Sequence, residues 1–504
     1  MQIDVEQKNY IIAQPIASSM IESLRAFGYN PQTAIADIID NSISAGAKNV
    51  WIKFFWDGES SYISVLDDGR GMSEEDLNNA MRPGSKSPLE DRHPEDLGRF
   101  GLGLKTASFS QCRRLTVSSR KEHHRKVTRC WDLDYVIQTG EWRLLTEPYP
   151  ESNAKIMDLN NVTTGTLILW EHLDRLVDNA KVTDDFAHAR FLELAEEVKS
   201  HLSMVFHRFL ARKDRLQIWL GQEQIEPWDP YLNKQSATQQ LNKEILPLYE
   251  KKVIVQPYIL PHHSKIDSST HKKAAGPKGW NAQQGFYIYR NERLLVAGDW
   301  LGLGCRKEEH CKLARIQVDI SNEMDEDWCI DVKKSTARPP SALKVDLKRI
   351  AKVTREQAIS VYRHRGKILS REVSDKTIYP WIKKVKHGTI FYSVNRDHPL
   401  VMELERLPEE NKKIVLSLIR LIEETVPIPM IAFNNAETPD KYSHYFEEAT
   451  ESEVKDTIIQ TYKAMINQGY TSEEALNRLL IMEPFNHFEN LVNNTVNEIN
   501  SGEI

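Results

Sequence analysis

Apolar positions between residues 34 and 47 (Ala34, Ile35, Ile38, Ile39 and Ile43) recur at helical spacing. They predict an amphipathic helix that stops at Gly46, where a glycine can end it. On that helix Asp37 and Asn41 stand one turn apart on the same face. β-Branched and aromatic runs at 50–56 and 62–66 predict two strands joined by an Asp57-Gly58 turn. The second strand runs into Asp67-Asp-Gly-Arg-Gly-Met72, and Ser73 with Glu75 and Asp76 opens another helix. Residues 82–99 turn to Pro, Gly, Ser and charge, which predicts a long loop. It closes on a glycine-rich helix entry from Gly98 to Ser108. Strands are expected again at 114–118, 127–134 and 165–170, giving an α/β sandwich with helices on one face of a mixed sheet.

A helical stretch over 186–211 marks a second domain, with strands at 216–220, 285–290, 294–296 and 314–320, and a polar, Lys-rich exposed loop at 262–284. Residues 347–363 read as helix, and 404–424 and 454–480 as the main helices of a third region. The chain is therefore expected to be α+β in three parts: 1–178, 179–350 and a mostly helical 351–504.

Composition narrows the setting. The 504 residues are 40% hydrophobic and 27% charged, with a net charge of −6. No apolar run approaches the roughly 20 residues of a membrane span, and residues 1–8 lack the basic-then-apolar pattern of a signal peptide. Five scattered cysteines argue for a reducing compartment and free thiols, Cys305 and Cys311 included, although His310 stands beside the second. A cytoplasmic protein with no membrane contact is expected. Any nucleic-acid contact must use local basic clusters, such as 123–126, Lys265, Lys272-Lys273 and 383–386. Such runs also serve as solvated faces.

The chemistry gathers in the glycine-rich segments. Gly98-x-x-Gly101-x-Gly103-x-Lys105 offers backbone N–H groups and a helix N-terminus to an anion, with Lys105 as a point charge for a phosphate. It lacks the Gly-Lys-Ser/Thr of a Walker loop, and it follows a long loop rather than a strand as a dinucleotide fingerprint would. Asp67 lies at a strand end before a Gly-x-Gly turn, where its carboxylate can accept from a purine amine while Met72 packs on the ring.

Taken in order, Asp37-x-x-x-Asn41, Asp67-x-Gly69-x-Gly71-Met72, Gly98 to Lys105 and Gly165-Thr166 resemble the four motifs of the GHKL ATPases. That family comprises gyrase B, the ninety-kilodalton heat-shock chaperones, histidine kinases and MutL. Residues 40–47 look most like MutL, and Phe100-Gly-Leu-Gly-Leu-Lys105 looks like the lid of the MORC ATPases. The resemblance implies an ATP site with Mg²⁺ held by Asn41 and adenine read by Asp67. Gly69, Gly71 and Met72 would shape the base pocket, and Thr166 would support Asp67, commonly through water. A lid from Ser85 to Lys105, including Gly98, Phe100, Gly101, Leu102, Gly103 and Leu104, would close over the phosphates. Asp37 stands where the family's catalytic base is normally Glu, and Ser44 where MutL has Asp. One methylene less leaves the carboxylate about 1 Å short of the water, a misplacement that costs on the order of 100-fold, so slow hydrolysis is expected. A transducer-like second domain would return a lysine to the γ-phosphate, with Lys333 or Lys334 the candidates.

The resemblance implies an ATP-dependent homodimeric clamp on DNA or a DNA-processing partner, in bacterial antiphage defence, restriction or repair. Operon-encoded nucleases or effectors would be its companions. A chaperone-like ATPase acting on protein clients is the alternative. A histidine kinase is disfavoured, because motif one carries Asp at its first position and no phosphoacceptor helix precedes it.

Overall fold

A computed structural model describes residues 15–84, 103–212, 214, 216–331, 334, 336–369, 380–386, 389–427, 446, 449–482, 484–485 and 488–502. The chain forms two compact units, residues 1–361 and 362–504.

In the first unit, α1 (Ala17–Arg25) leads to α2 (Pro31–Ser44). Helix α2 begins earlier than its apolar pattern, because the Asn30 side chain accepts from the Thr33 N–H and Pro31 supplies a preset φ at the first turn. Strands β1 (Asn49–Phe55) and β2 (Tyr62–Asp67) follow, then α3 (Glu74–Met81), held by a Ser73–Asp76 capping box. After the undescribed 85–102 come α4 (Gly103–Phe109), β3 (Arg114–Arg120), β4 (Val127–Asp132) and α5 (Leu133–Thr139). The strand expected over 127–134 stops at Asp132, because its carboxylate caps α5 through the Tyr135 N–H. Strand β5 (Gly165–Glu171) precedes the long α6 (Asp185–Val205), and β6 (Gln217–Leu220) and β7 (Glu223–Gln224) come after it.

Among the described residues these strands form one sheet in the order β4-β3-β5-β2-β1-β6-β7. Two elements grouped with the second domain by their position in the chain thus attach to the first sheet. Strand β6 pairs parallel with β1 through Asn49–Gln217 to Ile52–Leu220, and α6 packs on α2. Strand β2 is buried throughout because its alternate residues meet different cores. Ile63 and Val65 join the large cluster with Ile35, Ile38 and Trp170. Tyr62 and Leu66 join Ile156, Leu159, Leu167 and Leu169 on the opposite face. Asp67 closes β2 where both faces are covered.

The second sheet of this unit is built from β8 (Gln239–Gln240), β9 (Glu244–Leu248), β10 (Lys251–Ile259), β11 (Gly285–Arg290), β12 (Arg293–Asp299) and β13 (Ala314–Ile320). Its order is β12-β11-β13-β10-β8, with β9 on β10. The expected exposed loop at 262–284 instead contains helices Ser268–Ala274 and Gly279–Ala282 and buries His262, Trp280, Gln283 and Gln284. Trp280 stacks on His271 at 4.9 Å, which gives this polar stretch an aromatic anchor. The helix Lys344–Leu369 begins in this unit.

The second unit holds a hairpin, Trp381–Lys386 with Thr389–Val394, and helices Glu409–Thr425, Glu451–Asn467, Ser472–Ile481 and Glu489–Ser501. Its core gathers Val454, Ile458, Tyr462, Met465, Leu479, Val492 and Val496. Asn395, Asp397 and His398 form a capped turn: Asn395 accepts from the Asp397 N–H, and His398 caps the helix Pro399–Met402.

Candidate active site

Helix α2 carries two buried carboxylates. Asp37 is 2% exposed and Asp40 is fully buried. Tyr29 donates its hydroxyl to Asp37 Oδ2 at 2.7 Å. Lys334 Nζ lies 3.2 Å from Asp37 Oδ1 and 2.6 Å from Asp40 Oδ2. Arg293, at the start of β12, donates from Nε to Asp40 Oδ1 at 3.0 Å and lies 3.7 Å from Asp37. Two carboxylates of the first sheet's helix therefore share two cations from the second half of the unit. Burial drives the Asp37 carboxyl above its ordinary pKa; Lys334 opposes this, and the neighbouring Asp40 adds to it.

The loop that delivers Lys334 is firmly built. Arg290 of β11 grips Asp325 with two hydrogen bonds of 2.7 and 2.9 Å, and Trp328 is completely buried. The Arg338 N–H returns to the Trp328 carbonyl at 2.7 Å. Lys334 itself adopts a left-handed φ of 51°, uncommon for a side chain of this kind. Lys333 lies outside the described residues.

Asp67, at the end of β2, is 5% exposed. Its Oδ2 accepts from the Ser42 hydroxyl at 2.9 Å, and its Oδ1 from the N–H groups of Gly69 at 2.9 Å and Thr166 at 3.3 Å. Thr166 thus supports Asp67 directly through its backbone, while its hydroxyl bonds Ser119 at 2.9 Å. Ser119 in turn accepts from the Met72 N–H at 2.9 Å. A carboxylate offers about four acceptor sites, and these partners use three, so one remains for a further donor. Burial pushes the Asp67 pKa up to about 6, against the pull of its donors. The glycines beside it are there for close approach. A Cβ on Gly71, where φ is +65°, would fall 1.9 Å from the Arg120 carbonyl oxygen. A Cβ on Gly69 would fall 2.9 Å from Ala45 Cβ and 3.0 Å from Asp67 Oδ1.

Asn41 is exposed one turn beyond Asp37, at the rim of this buried network. Gly103 opens α4 beside Asp37: a Cβ there would sit 3.7 Å from Asp37 Oδ2. Lys105, expected over phosphates, is buried, and its Nζ donates to the Ala80 carbonyl at the end of α3 at 2.9 Å. Burial lowers its pKa to about 8. Ser85, Gly98, Phe100, Gly101 and Leu102 lie outside the described residues, and Leu104 packs against the large core.

Asp40, Arg293 and Tyr29 are the participants that sequence reasoning did not single out. Asp40 was within reach of it, because a second carboxylate three residues on shares a helix face with Asp37. Nothing local marks Arg293. Elsewhere, Glu308, His310 and Cys311 bring possible ligand atoms within 4.8 Å of one another. The Arg355 guanidinium already bonds that group, at 3.4 Å from Cys311 Sγ and 3.1 Å from Glu308. All five cysteines are free thiols.

Residues 29–166 match the family described as histidine kinase-, DNA gyrase B-, and HSP90-like ATPase. The ATPase morc-1 of Caenorhabditis elegans is 30% identical over 92 residues, 18% of this chain and 10% of that protein. The DNA mismatch repair protein MutL of Clostridium perfringens is 36% identical over 63 residues, 12% of this chain and 9% of its own. The MutL of Dictyoglomus turgidum is 33% identical over 96 residues, 18% and 16% respectively. The chain thus spans between about a tenth and a sixth of the length of these curated relatives. With the motif-bearing helix, the buried carboxylate at the β2 end and its glycine turn all inside the matched segment, residues 29–166 are a GHKL ATPase domain, similar to those of MutL and MORC proteins.

Proposed function

We propose that the chain is a Mg²⁺-dependent ATPase that works as a nucleotide-switched, dimerising clamp on DNA or on a DNA-processing partner. The observation that carries this reading is Lys334. A lysine from the second half of the unit sits on the two carboxylates of the nucleotide helix, so a bound polyphosphate competes for it. A ligand shifts a two-state equilibrium only through such a differential contact. The residues suit ATP: Asp67 keeps an acceptor site for the adenine amine, Gly69 and Gly71 let the turn beside it pack tightly against Ala45 and Arg120, and Asn41 offers an amide oxygen to the cation. Mg²⁺ at Asn41 would supply neutralisation of phosphate charge. Asp37, with its raised pKa, takes the proton of the water that attacks the γ-phosphorus as the bond to the ADP oxygen breaks, Tyr29 holds that carboxylate through its hydroxyl, and Lys334 donates to the γ-phosphate.

The name of the MutL relatives supports the DNA half of the reading. The exposed turn at His123–Lys126 and the exposed Lys265, Lys272 and Lys273 supply local positive charge; the side chains of 383–386 lie outside the described residues. A cytoplasmic role in antiphage defence, restriction or repair, beside nuclease or effector proteins, belongs to the same reading. The clamp predicts salt-sensitive DNA retention that a non-hydrolysable ATP analogue strengthens in a gel shift. Retention unaffected by nucleotide, or absent at low salt, sinks it and leaves a chaperone-like ATPase as the alternative.

The site also predicts a gain. Asp37→Glu extends the base by one methylene, and the missing side chain of Gly103 leaves room beside it. ATP hydrolysis should rise about tenfold, a tenth of the roughly 100-fold that misplacement of such a group can cost, with nucleotide affinity retained. Phosphate release and titration of a fluorescent ATP analogue measure the two. Loss of ATP binding would show that Asp37 is not the base.

A further inference from the structure

The buried network holds two cations where a single mobile lysine would suffice for a switch, and they are not equivalent. Lys334 hangs from a loop and is shared between Asp37 and Asp40. Arg293 is fixed in a strand, is 2% exposed, and its guanidinium has three kinds of partner. It bonds Asp40 at 3.0 Å, its own sheet through the Leu294 carbonyl at 3.1 Å, and the loop through the Lys334 carbonyl at 3.3 Å. We propose that Arg293 is the resident cation of the site, a positioning residue that keeps Asp40 paired so that Lys334 can pass from the carboxylates to a bound nucleotide.

The charge arithmetic carries the argument, and it rests on the ATP-site reading above. Asp37 and Asp40 are balanced by Lys334 and Arg293. When Lys334 moves to a polyphosphate, Asp40 would be a buried carboxylate with no cation, which is strongly unfavourable. The bond from Arg293 prevents that. Asp37 meanwhile keeps the Tyr29 hydroxyl. By holding the Lys334 carbonyl, Arg293 also leaves the backbone anchored while the side chain moves. Without Arg293, both carboxylates hold Lys334 and the nucleotide must win it from an uncompensated pair.

The test compares nucleotide affinity, by fluorescent ATP analogue, with urea midpoints in the full chain without nucleotide. Arg293→Met should weaken nucleotide binding at least tenfold in a chain that still folds. Adding Asp40→Asn removes the uncompensated charge, since the amide oxygen still accepts from Lys334, and should recover most of that loss. Arg293→Lys should stay within about threefold of wild type, because it keeps the charge. A merely structural arginine would give additive losses of affinity and midpoint and no rescue by Asp40→Asn. Wild-type affinity in folded Arg293→Met, or a double variant no better than the single, overturns the inference. Failure of the wild-type chain to bind nucleotide overturns the ATP reading beneath it.

Discussion

Asp67→Asn should weaken ATP binding on the order of 100-fold while leaving the fold intact. The asparagine fits the same bonds: its oxygen accepts from the Gly69 and Thr166 N–H groups, and its amide donates to the Ser42 hydroxyl, taking over the contacts at 2.9, 3.3 and 2.9 Å. The charged acceptor for the adenine amine is gone. Hydrogen bonds to charged groups are worth about 1.5–3 kcal/mol, and an amide N–H facing the amine adds a clash of donors, so the dissociation constant should rise on the order of 100-fold. Stability should move the other way. Burial raises Asp67 from the ordinary 3.8 to about 6, so its contribution favours the fold below pH 4 and is lost as pH rises through about 6. Above that, the ionised carboxylate is a liability of roughly 3 kcal/mol by linkage, and asparagine removes it. Thermal melts at pH 8 should therefore show the variant no less stable than wild type, an advantage that disappears at pH 4. Unchanged ATP affinity would remove Asp67 from the base pocket.

Why Asp67 was visible in the sequence and Arg293 was not is a question of range. Asp67 announces itself locally: a β-branched strand delivers it, and Gly69 and Gly71 follow where the chain must turn against Ala45 and Arg120. Helix α2 is likewise local, since its apolar stripe, cap and proline lie within fifteen residues. Strand β6 has an ordinary strand pattern, but its partner is β1, more than 150 residues earlier, and no period in the chain encodes that pairing. The strands β8 to β10 were not anticipated, because Lys, Gln and Pro interrupt their apolar alternation. Arg293 and Lys334 meet α2 across some 250 to 300 residues. A basic residue near a strand or turn looks like solvated charge until the fold puts a carboxylate opposite it.

Lys334→Met gives the second large effect, in both rate and pH dependence. Hydrolysis should fall about 100- to 1,000-fold, the range seen when a preorganised donor to a transition-state charge is removed. The parallel Lys333→Met variant should keep the wild-type rate, since it is Lys334 that reaches Asp37 and Asp40. A general base works in its ionised form, so the rate declines as pH falls through the Asp37 pKa, which burial already holds above the ordinary carboxylate range. Lys334 is the strongest influence pulling that pKa down. Its loss must raise it further, so the acidic limb of the kcat profile should move to higher pH in the residual activity. The sign for stability follows from the same shift. A carboxyl whose folded pKa is raised favours the fold at low pH and loses that contribution as pH rises through the folded value. The variant leaves two buried carboxylates with Arg293 alone, a broken pair worth about 3–5 kcal/mol, and protonation of Asp37 relieves it. Urea unfolding of Lys334→Met should thus show its largest deficit against wild type at pH 8 and a smaller one at pH 5.5. A lysine that only decorated the surface of the loop would lower neither the rate nor the midpoint, and would leave the acidic limb where it stands in the wild-type chain.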